Sequence, residues 1–103
     1  MVSVKCLASG SAGNSHAVDD GKSVLLLEAG IRKRTILAGY MDLLMRVQGC
    51  LITHEHQDHA KAALGLPMAG IDVYASGGTF SALNAEKARR NYRLHSIKAG
   101  EQF

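Results

Sequence analysis

Cysteine is scarce in this chain of 103 residues: Cys6 and Cys50 are the only two. Two thiols are too few for a disulfide scaffold. Both fall in predicted strands, where they are expected as small buried hydrophobes rather than as a disulfide or a ligand pair. Nothing therefore demands an oxidising compartment. Aromatic residues are also few, three Tyr and two Phe, so no stacking platform for unpaired bases is evident. No apolar run approaches the length that crosses a bilayer. Val24 to Leu27 (VLLL) reads instead as a short strand, and the start, MVSVK, lacks the apolar stretch of a signal peptide. The expectation is a cytoplasmic protein with no membrane partner. The chain also lacks internal repeats, linkers and low-complexity segments. Neither a P-loop nor a dinucleotide fingerprint is present, because the Lys and the glycine spacing are missing.

What is present suits a modest core. Hydrophobic residues make up 47% of the chain, and the length predicts one domain over residues 1–103. The order of elements reads as α/β. Val2 to Ala8 alternates as a strand. His16 to Val18 and Ser23 to Leu27 form two more, joined by the turn Asp19-Asp20-Gly21. Ile36, Tyr40, Leu43 and Val47 recur at helical spacing, which predicts a helix over Thr35 to Arg46. Val47 to Thr53 (VQGCLIT) reads as a buried strand, His59 to Leu66 (HAKAALGL) as a helix. Pro67 ends or kinks that helix. A strand at Asp72 to Ala75 leads through Ser76-Gly77-Gly78 to a helix from Thr79 to Arg90.

The net charge is +3 and the pI about 9.1. Arg32-Lys33-Arg34 is one basic cluster; Lys87, Arg89, Arg90 and Arg93 form another. Such clusters attract a phosphate backbone, although a solvated face is the plainer explanation of each.

Six residues carry most of the chemistry: His54-Glu55-His56-Gln57-Asp58-His59. Three of the five histidines fall here, together with the Asp58 carboxylate at ligand spacing. Neutral imidazole is the commonest ligand for zinc-like ions, and carboxylate is its regular companion. The run sits where a strand gives way to a helix. His54 and His56 would point to one side of a still-extended segment, because side chains alternate. Asp58 and His59 would fall on the first helical turn. The four donors can thus face one small volume in two pairs, with His54 and His56 on one ion and Asp58 and His59 on a second. His95 is expected as an ordinary strand or loop histidine.

THEHQDHA resembles the signature of the metallo-β-lactamase fold hydrolases. Leu7 to Ser15 (LASGSAGNS) and Ser23 to Gly30 (SVLLLEAG) resemble the opening of the YycJ/WalJ-like branch. Ile71 to Ser76 (IDVYAS) and Ile97 to Phe103 (IKAGEQF) are similar to its next segments. The resemblance implies the first half of an αββα sandwich, a mixed sheet with flanking helices, and a chain roughly half the family's length. It implies two divalent metal ions, zinc first and manganese or iron next, and hydrolysis by water activated between them. Asp58 would also orient that water and so act in catalysis. The branch points to phosphodiester hydrolysis, as a DNA exonuclease when complete. The alternatives are a thioesterase or lactamase-type hydrolase of the same fold, or a non-catalytic metal-binding fragment. The family's later ligands are not visible, so a second chain or a missing C-terminal half would complete the site.

Two further features follow from the resemblance. The loop bearing Ser9, Ser11 and Asn14 would border the metal cleft. Glu28 stands where the family normally places Asp, a carboxylate that supports a ligating histidine from behind.

Overall fold

The computed structural model describes residues 1–83 and 93–98. Six strands, β1 (Ser3–Ala8), β2 (Ser15–Asp19), β3 (Val24–Leu27), β4 (Val47–Leu51), β5 (Val73–Ser76) and β6 (Leu94–Ile97), form one sheet in chain order. The pairings β1–β2 and β2–β3 are antiparallel, whereas β3–β4, β4–β5 and β5–β6 are parallel. The sheet is therefore mixed, as the α/β expectation requires. The hairpin between β2 and β3 closes on its own side chains. Asp19 Oδ1 accepts from the backbone N–H of Gly21 (2.8 Å), and Asp20 Oδ1 accepts from those of Lys22 (2.8 Å) and Ser23 (2.7 Å). Gly21 supplies the left-handed residue of this turn, with φ +93°.

One face of the sheet meets the core. Ala17, Leu26, Cys50 and Val73 lie side by side on adjacent strands, and all four are fully buried. Helix α1 (Lys33–Gly39) contributes Ile36 to this core, and the segment after the histidine run contributes Ala60, Ala63 and Leu66. Tyr40 is wholly buried, and its hydroxyl is satisfied by Ser15 Oγ at 2.9 Å. Burial pushes its phenol pKa up.

The next row across the strands, His16, Leu27, Leu51, Tyr74 and His95, faces the other way and is only half-buried. Among the described residues, this row stays outside the core cluster. Tyr74 and His95 stack within it at 4.6 Å between centroids. His95 thus sits in a strand, consistent with the plainer expectation for it.

The sequence reading needs correction in three places. Cys6 is exposed, not buried. It pairs across from His16 on edge strand β1 and so belongs to the half-buried side. Cys50 is buried as expected, and desolvation pushes its thiol up to about 12. The helix over Thr35 to Arg46 is broken. It starts two residues earlier, ends at Gly39, and resumes only as a 3-10 turn over Leu44–Arg46. Gly39 is a weak helix former, and a Cβ there would lie 2.6 Å from the Leu7 methyls, so β1 packs where the helix would have continued.

The helix after the histidine run is also shorter. Helix α2 spans Gln57–Ala60, and Pro67 opens a separate 3-10 turn, Leu66–Ala69, rather than kinking one helix. Gly70, with φ +83°, closes that turn. Helix α3 (Gly77–Ala82) begins where Ser76 Oγ accepts from the Thr79 N–H at 3.1 Å. The rest of the expected helix to Arg90, with Lys87, Arg89 and Arg90, lies outside the described residues, as does the tail from residue 99.

Candidate metal centre

Three chain segments meet by backbone contact at the ends of β3 and β4. The first is the turn Glu28-Ala29-Gly30. Glu28 donates its N–H to Leu51 O (2.9 Å), Ala29 to His59 O (2.7 Å) and Gly30 to Asn14 O (2.9 Å), while Ala29 O accepts from Ala62 N–H (2.8 Å). Glu28 has φ +69°, a left-handed conformation that non-glycine residues seldom adopt. Gly30 admits no side chain, because a Cβ there would stand 1.8 Å from Asp58 O. Gly13 is equally enclosed: its Cβ would lie 2.6 Å from Gly30 O, and its φ of +152° independently favours glycine. The loop before β2, the turn after β3 and the histidine run therefore form one stack.

Asn14 ties that stack together. Its Nδ2 donates to Gly10 O (3.0 Å) and to Asp58 O (2.9 Å), while Oδ1 accepts from Gly10 N–H (3.2 Å). Ser9 and Ser11 are exposed on the same loop. Asn14 is thus the residue of the expected cleft loop that reaches the histidine run.

The strand-to-helix turn gathers the imidazoles. The His54 ring lies 4.9 Å from that of His56 and 3.8 Å from that of His59, centroid to centroid. His56 occupies the position just before α2, and Asp58 falls in its first turn. Glu28 is buried behind them. One of its carboxylate oxygens accepts from Thr53 N–H (2.7 Å), the other from Thr53 Oγ1–H (2.9 Å) and also contacts His59 Nδ1. On its far side His59 Nε2 faces Asp58 Oδ2 at 3.3 Å. A neutral His59 that donates from Nδ1 presents a lone pair to this carboxylate oxygen.

Glu28, His54 and His59 each offer one donor atom, and the three lie within 4.8 Å of one another. Two imidazoles and a carboxylate make a mixed nitrogen and oxygen set that suits zinc, manganese or iron. The residues present fit such an ion. The grouping differs from the two pairs read from the sequence: Glu28 joins His54 and His59 in the tight cluster, while His56 and Asp58 flank it. Of the basic residues, Arg32 and Arg34 are exposed within four residues of Gly30. Arg93 is paired with Asp72 Oδ1 at 2.8 Å.

No protein-family model matches the chain. Over 85 residues it is 35% identical to the exodeoxyribonuclease WalJ of Streptococcus pneumoniae, covering 79% of this chain and 32% of that protein. Over 82 residues it is 38% identical to the exodeoxyribonuclease YycJ of Bacillus anthracis, covering 75% of this chain and 31% of that protein. This chain is YycJ/WalJ-like. It spans about a third of the length of the curated relatives it matches. Its backbone matches the B3 metallo-β-lactamase BLEG-1 with a TM-score of 0.70 at 17% identity, covering 98% of this chain and 56% of that one. The YycJ/WalJ-like chain thus has the metallo-β-lactamase fold.

Two elements of the YycJ/WalJ-like site escaped the sequence reading. One is Thr53, read as the last residue of a strand and the first of the THEHQDHA signature but given no role, whose N–H and hydroxyl both bind Glu28. The other is the contact of Gly30 with Asp58, which no local pattern encodes. A hydroxyl beside the first histidine was the available signal for Thr53. The Glu28 carboxylate contacts both Thr53 Oγ1 and His59 Nδ1.

Proposed function

We propose that this chain supplies part of the active site of a metal-dependent hydrolase that cleaves DNA phosphodiesters, exonucleolytically in the complete protein. The carrying observation is the gathering of the three imidazoles, with the His56 and His59 ring centroids 4.9 and 3.8 Å from that of His54 and Asp58 Oδ2 3.3 Å from His59 Nε2. Two divalent ions, zinc first, would supply Lewis acidity, acidifying water and offsetting charge on the attacked phosphoryl group.

The residues of this chain divide the remaining work. His54 and His56 would hold one ion, and Asp58 and His59 would hold the other. Asp58 also orients the attacking water, while Glu28 aims His59 from behind. Asn14 and Gly30 fix the backbone at Asp58, which limits how far either donor pair can drift. Arg32 and Arg34 lie close along the chain from Gly30 and offer positive charge to a phosphate backbone. The names of the relatives, both exodeoxyribonucleases, favour DNA as substrate. We further propose that residues 1–103 fold as one domain in the cytoplasm and that additional chain completes the ligand set.

The test is metal content after zinc loading and dialysis, in the wild type and in His54→Ala and His59→Ala. Retained zinc in the wild type and loss in both variants is expected. Zero zinc in the wild type overturns the reading. For the substrate, salt-sensitive binding to DNA is expected, with log affinity falling linearly with log salt; indifference to DNA alongside ester cleavage refutes a nuclease. The 103-residue chain alone is expected to turn over little phosphodiester.

A further inference from the structure

We propose that Thr53 is a positioning residue that fixes the tautomer of His54 by relaying the Glu28 carboxylate through its hydroxyl. The inference deepens the metal reading above and rests on it only for its consequence in affinity.

An ionised carboxylate only accepts, so Thr53 Oγ1 is the donor in its 2.9 Å bond to Glu28 Oε2. A hydroxyl has one hydrogen. Having given it to Glu28, Thr53 Oγ1 can only accept from its other neighbour, His54 Nδ1, at 2.9 Å. His54 Nδ1 therefore carries the ring hydrogen, and the lone pair of the neutral ring sits on Nε2. The same carboxylate oxygen contacts His59 Nδ1, which places the His59 hydrogen on Nδ1 and its lone pair on Nε2, towards Asp58. One buried carboxylate thus sets two imidazoles, His59 directly and His54 through a threonine.

The arrangement has its own anchor. Thr53 N–H donates to Glu28 Oε1 at 2.7 Å, so the backbone is held to the same carboxylate that the side chain addresses. The hydroxyl oxygen cannot turn away from His54 without also leaving Glu28. The consequence is that both Nε2 atoms are offered as ligands before any ion arrives. Ordering a ring in the correct tautomer ahead of binding is the role of outer-sphere partners in metal sites, and their loss typically costs about 10–100-fold in affinity.

The experiment is nitrogen-15 NMR of the imidazoles in metal-free protein, at a pH where the rings are neutral, with zinc titration in parallel. The wild type is expected to show His54 hydrogenated at Nδ1. Thr53→Val keeps the shape, removes the hydroxyl, and is expected to shift His54 towards the Nε2–H form and to weaken zinc about 10–100-fold. Thr53→Ser restores the hydroxyl and is expected to recover both. An Nε2–H form of His54 in the wild type, a value readable whether or not Thr53→Val folds, overturns the proposal. So does identical behaviour of the Val and Ser variants. A chain that binds no zinc but still shows the shift in Thr53→Val supports the relay and sinks the metal reading, so the two failures are distinct.

Discussion

The side-chain amide of Asn14 donates to the main-chain carbonyl of Asp58 at 2.9 Å, joining two segments 44 residues apart. The same amide group closes its own loop on Gly10. Asn14→Ala removes all of these bonds and leaves a half-buried carbonyl without its partner. A loss of roughly 1–3 kcal/mol in stability by urea denaturation is expected, together with weaker zinc retention. Unchanged stability would show that the loop and the histidine run are held by other contacts.

Gly30 and Gly39 make a paired test of close approach. A Cβ at Gly30 would meet the Asp58 backbone at 1.8 Å, and a Cβ at Gly39 would meet the Leu7 side chain at 2.6 Å. Backbone cannot step aside as a leucine can. Gly30→Ala is expected to cost at least about 3 kcal/mol, the upper part of the range for overpacking. Gly39→Ala is expected to cost no more than about 2 kcal/mol, since a gain of about 1 in helix propensity offsets part of the crowding. Chemical denaturation of the two variants gives the order; the reverse order would mean that the Gly30 contact is not built as described.

The two thiols differ in reactivity for a physical reason. Cys6 is exposed, whereas Cys50 is buried and its pKa stands at about 12, chiefly through desolvation and further through the Glu28 charge. Only thiolate reacts with alkylating agents. One equivalent of iodoacetamide is expected to react with the native chain and two with the unfolded chain, as counted by mass spectrometry. Cys6→Ser should abolish the native reaction. Rapid labelling of Cys50 in that variant would contradict the packing of β4.

Strong acid should weaken the β2–β3 hairpin. Asp19 is held at about 2, from an ordinary 3.8, first by the hydrogen bond from Arg46 and then by the Gly21 N–H. Arg46 grips it with two bonds, 2.6 and 2.9 Å. A carboxyl lowered in the folded state stabilises fully above its unfolded pKa, and that contribution is lost as pH falls from 3.8 through about 2. Asp20 is lowered in the same direction by the N–H groups of Ser23 and Lys22. Asp19→Asn is expected to flatten the acid limb of stability against pH in that window. Parallel slopes for wild type and variant would refute the linkage.

Much of this was legible in the sequence because it is local. VLLL and VQGCLIT carry enough β-branched and leucine residues to mark β3 and β4, and Asp19-Asp20-Gly21 states its turn in side chains that bind their own backbone. The clustering of His54, His56 and His59 follows from chain proximity at a strand end. What failed was decided at a distance. The helix from Thr35 had its apolar period intact, and Ile36, Tyr40 and Leu43 all reach the core, but Leu7 of β1 occupies the space beside Gly39. Cys6 looked buried because strand alternation names two faces without saying which one the helices cover. The promotion of Glu28 into the donor cluster depends on its left-handed backbone and on Thr53, and neither is written in a spacing.

The row from His16 to His95 gives the sheet a second wall that water wets. Parallel strands are usually clad on both sides; among the described residues, β3 to β6 are clad on one. Leu25, on that wall and away from Glu28, is where a lysine would raise solubility while leaving the histidines undisturbed.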